Sequence, residues 1–257
     1  MSAPAALLEV RGLGKAFGGL RAVDGADLDV EEGAIAGLIG PNGASKSTLF
    51  ALVAGALRPD AGSVRFAGQD LTGASPERVA RAGLVRTFQT PRPFGGLTCW
   101  ENLMVAAPPG PEEGLGYALL RGASGRRRLA EHDRRARDTL AFLGLAEHLN
   151  ARAATLSGGQ RKLLALGRAL MAGPRLVLLD EPAAGVNETL TRALMDRIAV
   201  LRDRGTSFLI VEHDMDLIMT LCDRVTVMHQ GRTLASGSPD EVRSDPRVVE
   251  AYLGGAA

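Results

Sequence analysis

Short strand-like segments separated by glycine-rich joints make up the first part of the chain. Residues 7–11, 21–23 and 26–30 carry this pattern, which predicts a small antiparallel sheet. An uninterrupted apolar run at 34–39 follows and has the length of a strand that is buried on both faces. The chain is therefore expected to begin with strands.

Strands and helices alternate again from residue 157 onwards. Such alternation predicts a mostly parallel sheet with helices on both faces, which is the α/β class. The predicted elements are a helix at 159–171, a strand at 176–179, a helix at 188–202, a strand at 207–211, a helix at 215–221, a hairpin of strands 224–228 and 233–235, and one last helix opened by the capping box of Ser238 and Glu241. Between the two regions the pattern predicts a helix that ends near residue 57, a strand at 63–66, a helix opened by Ser75 and Pro76, and a strand at 84–89.

Residues 90–156 show helical periodicity without convincing strands. We interpret residues 91–156 as an inserted helical subdomain, and residues 1–90 and 157–257 as the core with its antiparallel β subdomain, within one domain of 1–257. The arginine-rich run at 126–137 suggests a surface for nucleic acid or lipid. However, Glu131 and Asp133 each lie four residues before an arginine, which favours a solvated, salt-bridged helix face.

The overall charge and the cysteines narrow the possible functions. Thirty basic and 29 acidic residues leave a net charge of +1, which argues against nucleic-acid binding as the main task. Cys99 and Cys222 are far apart and lack metal-ligand spacing, so we expect two inert thiols in a reducing compartment. No secretory signal and no long apolar run is evident, and we expect a peripheral protein if it acts at a membrane.

A strand, a glycine-rich turn and a helix follow one another at residues 33–50. Backbone N–H groups at the start of a helix form a concave site for phosphate, and glycines let the backbone approach it. In this interpretation Lys46 neutralises phosphate charge and the hydroxyl of Ser47 binds Mg²⁺. The predicted nucleotide-binding residues are Gly40, Pro41, Asn42, Gly43, Ala44, Ser45, Lys46, Ser47 and Thr48. The alternative is an ordinary strand-to-helix connection, which rarely needs this much glycine beside a lysine.

Ser45 departs from the expected pattern, which places glycine immediately before the lysine. If the backbone there needs a conformation that glycine tolerates freely, serine costs about 1–2 kcal/mol. That cost corresponds to roughly a tenfold loss of nucleotide affinity. We therefore predict weaker nucleotide binding or turnover than in a Ser45→Gly variant.

Two adjacent carboxylates, Asp180 and Glu181, end the apolar strand at 176–179. Ligands bind at the carboxyl ends of parallel strands, so both residues are expected at the same site as Lys46. Asp180 would hold Mg²⁺ through its water shell, and Glu181 would act as general base toward the attacking water. The two carboxylates alone are weak evidence for such a site. The phosphate loop earlier in the chain strengthens that evidence.

The segment Ser157, Gly158, Gly159 and Gln160 has two interpretations. Ser157 and Gln160 form a capping box that could simply begin a helix. The two glycines cost roughly 1 kcal/mol each in a helix, and a bare backbone at a helix N-terminus favours close approach of an anion. A second anion site suggests a nucleotide held between two copies. Gln89 and His213 also follow predicted strands, where either could be merely structural.

Together these motifs resemble the ATP-binding-cassette (ABC) ATPases, in order and in approximate spacing, over essentially the whole chain. The resemblance implies ATP and Mg²⁺ as cofactors, with Ser47, Gln89 and Asp180 at the metal and Glu181, His213 and Gln89 as catalytic residues. It places Phe17 against adenine, and it places Gln89 in a loop that senses nucleotide and contacts a membrane subunit. It implies that the signature Ser157–Gln160 grips the γ-phosphate bound by the opposite subunit, and that residues 183–187 form the loop that follows the two carboxylates.

Within that family, residues 180–187, 211–215 and 251–254 resemble the ATPase subunits of branched-chain amino-acid importers. Cassettes that serve amides, urea or lipopolysaccharide share much of this pattern. The resemblance implies a homodimer, or a heterodimer with a similar subunit. It also implies that this dimer binds integral membrane permease subunits on the cytoplasmic side of the membrane. We expect the permease to dock near residues 89–100, with Trp100 as a candidate contact. Alternatives are an ATPase subunit of a lipid or lipopolysaccharide exporter and a nucleotide-binding regulator with turnover impaired by Ser45.

Overall fold

The structure is a computed structural model that describes residues 6–87, 93–108 and 123–253. The chain divides into two units, and the first comprises the described residues of Met1–Gln89, Arg175–Ala184 and Thr191–Ala257. The second comprises those of Thr90–Pro174 and Gly185–Leu190. Gln89 lies outside the described residues, so the predictions made for it have no structural counterpart here. Within the described ranges, no helix has the length and apolar character needed to cross a membrane.

The predicted antiparallel sheet is present in the first unit. Its strands are β1 (Ala6–Phe17), β2 (Leu20–Glu31), β4 (Ala61–Phe66) and β5 (Gln69–Asp70), in the order β2-β1-β4-β5. The expectation of three short strands before residue 31 is wrong, because β1 and β2 are each twelve residues long. The pairing of β1 with β2 shifts register between Val10 and Leu13 and again between Leu13 and Gly14. The glycines in this stretch therefore lie at bulges inside a continuous strand and do not end it.

A second sheet in the same unit confirms the predicted parallel arrangement. Its strands are β3 (Ile35–Ile39), β6 (Leu84–Arg86), β7 (Leu176–Asp180), β8 (Ser207–Val211), β9 (Arg224–His229) and β10 (Arg232–Gly237), in the order β10-β9-β3-β8-β7-β6. β3 pairs in parallel with β8 and β9, and β7 pairs in parallel with β8 and β6. Only β10 runs antiparallel, as the second strand of the predicted hairpin.

Two helix boundaries in the first unit differ from the prediction. The helices associated with this unit are α1 (Lys46–Val53), α2 (Pro76–Arg81), α6 (Glu188–Asp203), whose residues from Thr191 belong to this unit, α7 (Met215–Leu221), α8 (Pro239–Ser244) and α9 (Pro246–Leu253). α1 ends at Val53 rather than near residue 57, because Gly55 turns the chain with a φ of 74°. The single last helix is two helices, since Pro246 keeps Asp245 extended.

The core of the first unit joins both sheets to α1. Leu8 and Phe66 of the antiparallel sheet, Phe50 of α1, and Leu38 and Leu178 of the parallel sheet belong to one buried cluster. Full burial stabilises such a side chain by about 1.5–3 kcal/mol relative to exposure. The two sheets of the first unit and α1 therefore share one buried core.

In the described part of the second unit, the α-helices are α3 (Cys99–Ala106), α4 (Ala123–Phe142) and α5 (Gly158–Met171). Gly167 of α5 lets them pack closely, because a Cβ there would lie 2.9 Å from Leu143 and 3.5 Å from Leu103. In the arginine-rich run, Asp133 pairs with Arg137 at 3.0 Å as predicted. Arg135 instead donates to the carbonyl of Leu170 at 2.6 Å.

Candidate active site

The loop between β3 and α1 needs glycine at its first position. Gly40 has a φ of 151°, and a Cβ on it would overlap the carbonyl oxygen of Met228. Gly43, at a φ of 82°, has open space around it. The chain thus turns sharply out of the buried strand and enters α1 with Lys46, and the exposed Ser47 stands in the first turn of that helix. This is the strand–turn–helix arrangement that the sequence predicts.

Lys46 is buried inside this loop. Only 6% of the residue is exposed, and its Nζ donates to the carbonyls of Gly40 at 2.7 Å and Pro41 at 3.2 Å. Burial lowers the pKa of Lys46, while the charges of Glu181 and Asp180 act in the opposite direction. The ammonium group is thus a largely desolvated cation that shares its surroundings with two carboxylates, which suits the binding of an anion.

Ser45 occupies the left-handed backbone region. It is the N-cap of α1 with φ 71° and ψ 25°, and its side chain makes no capping hydrogen bond to the helix. The condition under which serine is costly at this position is therefore met. A residue other than glycine held there costs of order 1–3 kcal/mol.

The carboxylates at the end of β7 have different surroundings. Asp180 is 4% exposed, and its Oδ2 accepts a hydrogen bond from Nη2 of Arg86 at 2.8 Å. Glu181 has a φ of 48°, and its Oε1 lies 2.8 Å from Nε2 of His213. Adjacent residues on one strand end thus present one carboxylate in the interior and one to a half-exposed histidine, which fits two distinct chemical roles.

Glu212 supports the backbone around these carboxylates, and the sequence interpretation assigned it no role. It is 4% exposed, and its carboxylate accepts from the backbone N–H of Ala183 at 2.6 Å and of His213 at 3.3 Å. A charged residue directly after an apolar strand is the signal that could have revealed it. Glu212 ties the loop after β7 to the end of β8.

The C-terminal helix α9 reaches the phosphate loop in the same unit. Burial raises the pKa of the Tyr252 hydroxyl, and the backbone of Gly40 acts in the opposite direction. A cavity of about 560 Å³ lies beside the loop. Its lining includes Pro41, Asn42, Gly43 and Ala44 from the loop, His229 and Gln230 from the hairpin, and Arg247 and Glu250 from α9.

Phe17 lies at the end of β1 with 48% of its surface exposed. The ammonium group of Lys15 is 5.7 Å from the centroid of its ring. An exposed aromatic ring of this kind offers a face on which a base can stack.

The signature segment belongs to the second unit. Ser157 and Gln160 form the predicted capping box at the start of α5, with hydrogen bonds of 3.2 and 2.9 Å. A Cβ on Gly159 would overlap Leu190, whereas one on Gly158 would meet only the tip of Arg161 at 4.0 Å. Packing against Leu190 therefore explains the glycine at position 159, whereas Gly158 leaves open space over the backbone.

His148 holds the Gln160 side chain, a contact that the sequence interpretation missed. The Nε2 atoms of the two residues are 2.9 Å apart. Since Oε1 of Gln160 already accepts from the N–H of Ser157, the amide nitrogen donates and Nε2 of His148 accepts.

The residues present fit a magnesium ion held largely by water and phosphate. Among the described residues, no group of three or more His, Cys, Asp or Glu side chains forms a protein-only metal site. Oδ1 of Asp180 is buried without a hydrogen-bond partner in that part of the chain, and Ser47 is exposed in the first turn of α1. Mg²⁺ commonly keeps several waters and takes one or two protein ligands beside phosphates.

A parallel sheet with this loop at one strand end and a carboxylate pair at another defines a P-loop nucleotide-binding protein. Residues 23–184 match a family model described as ABC transporter. Residues 232–257 match a second, described as branched-chain amino acid ATP-binding cassette transporter. The chain belongs to the ABC transporter family, as the sequence motifs predict.

Individual relatives agree with this assignment. The chain is 42% identical over 257 residues to the high-affinity branched-chain amino acid transport ATP-binding protein LivG of Salmonella typhimurium, covering 100% of both chains. It is 40% identical over 250 residues to the probable LivG protein of Archaeoglobus fulgidus, covering 96% of this chain and 95% of the relative. A crystal structure of the ADP conformation of an ATP-binding cassette from an ABC transporter shares 35% identity and a TM-score of 0.83, covering 97% of this chain and 99% of that one.

Proposed function

We propose that this chain is the ATP-hydrolysing subunit of a membrane importer for branched-chain amino acids or similar small solutes. The observation that carries the ATPase part is the set of groups in the first unit: a buried Lys46 in a phosphate loop, a buried Asp180, and Glu181 in contact with His213. The names of full-length relatives support the solute class.

In this proposal the phosphate loop and Lys46 bind the β- and γ-phosphates, and Phe17 stacks on adenine. Ser47 and Asp180 hold Mg²⁺, with Gln89 as a further ligand, and the ion would offset charge on the transferring phosphoryl group. Glu181 accepts the proton of the attacking water. His213 holds the Glu181 carboxylate and lies beside the γ-phosphate.

A second copy or a similar cassette completes the site. Ser157–Gln160 of one subunit would contact the γ-phosphate on the other, so that ATP closes the dimer and hydrolysis reopens it. Permease subunits at the cytoplasmic face of the membrane would bind this chain near residues 89–100.

ATPase measurements on the purified chain test the enzymatic part. We expect MgATP hydrolysis that rises when the permease subunits are added, and a stable ATP-bound dimer in Glu181→Gln by sedimentation velocity. Dimers formed by this chain alone would indicate a homodimer. Dimers that form only when a second cassette is added would indicate a heterodimer. Hydrolysis that no membrane subunit stimulates would favour the regulator instead.

Transport measurements test the solute. Vesicles that contain this chain assembled with its permease subunits should take up labelled leucine, isoleucine or valine in an ATP-dependent manner. ATP-dependent movement of lipid rather than amino acid would favour the exporter.

A further inference from the structure

Arg86, at the end of β6, forms a buried ion pair with Asp180. β6 and β7 pair in parallel with Arg86 opposite Leu178, which places the guanidinium group beside the end of β7. Its Nη2 lies 2.8 Å from Oδ2 of Asp180, and the side chains are 19% and 3% exposed. The guanidinium carbon is also 5.8 Å from the centroid of Phe50 in α1. Three elements therefore fix the position of this cation.

The pair leaves two polar atoms unused. Oδ1 of Asp180 and Nε of Arg86 are both buried and have no hydrogen-bond partner within residues 6–87, 93–108 and 123–253. Native structures rarely leave a buried carboxylate oxygen unsatisfied, because doing so is costly unless a ligand or an ion uses it. One oxygen of Asp180 is thus committed to protein and the other is available.

We infer that Arg86 is a positioning residue that holds Oδ2 of Asp180 and so presents Oδ1 to the hydrated magnesium ion. This inference rests on the proposed function. The guanidinium limits rotation of the buried carboxylate about its Cβ–Cγ bond, because it holds Oδ2 at 2.8 Å. Groups that hydrogen bond a metal-binding carboxylate commonly set metal affinity in this way, and their loss typically costs 10–100-fold.

Metal affinity can be measured without turnover. Mn²⁺ is titrated into the purified chain bound to the non-hydrolysable analogue AMP-PNP, with protein in excess over nucleotide, and free Mn²⁺ is read by electron paramagnetic resonance. The variants are Arg86→Met, Asp180→Asn and the double variant. Arg232→Met is the matched control, because it removes an exposed arginine that pairs with Asp24 at 2.6 Å.

We expect Arg86→Met to weaken Mn²⁺ binding about tenfold in the wild-type background. In the Asp180→Asn background the same change should have an effect below about twofold, because the carboxylate through which Arg86 acts is gone. Arg232→Met should match the wild type. Binding of AMP-PNP in EDTA at wild-type affinity would show that the Arg86→Met site is folded.

Unchanged or tighter Mn²⁺ binding by Arg86→Met would overturn the inference, and so would equal losses in both backgrounds. If Asp180→Asn itself leaves Mn²⁺ affinity unchanged, the proposed magnesium role of Asp180 fails, and the inference falls with it. If Arg86→Met does not fold, Arg86→Lys carries the test. It keeps the charge but loses the planar guanidinium, and we expect about a threefold weakening.

Discussion

Nε2 of His213 lies 2.8 Å from Oε1 of Glu181, at the ends of the neighbouring strands β8 and β7. A base that abstracts a proton from water must be held in place. Glu181→Gln should therefore lower the ATPase rate by about a hundredfold or more while ATP binding is retained, as measured by phosphate release and equilibrium binding. His213→Ala should also slow hydrolysis.

Asp214→Asn is the matched control for these variants, because asparagine can still cap α7 at Leu217. Its turnover should equal that of the wild type. Full turnover in Glu181→Gln would remove Glu181 from the role of general base.

The left-handed backbone at Ser45 gives a prediction for Ser45→Gly. Removing the strained Cβ should raise the free energy of unfolding by about 1 kcal/mol and improve ATP affinity up to roughly tenfold. Urea unfolding and fluorescent-nucleotide titration measure the two quantities.

Ala67→Gly provides the comparison for Ser45→Gly. Ala67 also has a positive φ, of 49°, but lies in the turn between β4 and β5. Its replacement should stabilise the fold without changing ATP affinity. Equal affinity and equal hydrolysis in wild type and Ser45→Gly would show that the loop tolerates serine.

Lys46→Met should weaken ATP binding about tenfold to a hundredfold, since charge-assisted hydrogen bonds contribute about 1.5–3 kcal/mol. Burial lowers the pKa of Lys46 from its ordinary 10.5. Between the lowered pKa and 10.5 the unfolded chain binds more protons than the folded one, so this group makes stability rise with pH across that window. Unfolding curves at several alkaline pH values should show that contribution in the wild type and not in Lys46→Met.

The two thiols should be unreactive in the folded chain. Cys99 and Cys222 are free and buried. Burial, assisted by the charge of Asp223, raises the pKa of the Cys222 thiol to about 12, and burial also raises the pKa of Cys99. A thiol reagent should modify neither residue at neutral pH until denaturant is added, when both react. Rapid labelling of either cysteine in the native protein would contradict this.

His148→Ala removes the acceptor for Gln160 and should lower the free energy of unfolding by about 1 kcal/mol. If the proposed dimer is correct, ATP-driven dimerisation should weaken as well, because Gln160 is less constrained. His148→Gln offers a replacement acceptor and should recover part of both effects. A variant that loses stability but dimerises normally would limit His148 to a structural role.

Local signals predicted the elements better than their contacts. The apolar run at 207–211 and the helix at 215–221 agree with β8 and α7 in the structure, and the capping boxes at Ser157 and Ser238 are present. Such features depend on neighbours within a few residues. The two long strands β1 and β2 were predicted as three, because a glycine that ends one strand cannot be told from one that forms a bulge inside another.

Contacts between distant positions could not be predicted from patterns. Arg86 is 94 residues from Asp180, and Ala183 is 29 from Glu212. Their distances depend on strand order, which periodicity does not specify. A charged residue at or directly after the end of an apolar strand was the available signal at Arg86 and Glu212. It indicates that a partner is needed without saying which one.

Trp100 donates its indole N–H to Asp133 at 2.8 Å, within the second unit. It is the chain's one tryptophan, so intrinsic indole fluorescence reports on the helical unit alone, whereas far-ultraviolet circular dichroism reports on both units. Coincident denaturation curves from the two probes would mean that the units unfold as one cooperative block. Separate curves would give the stability of each unit from a single unlabelled sample.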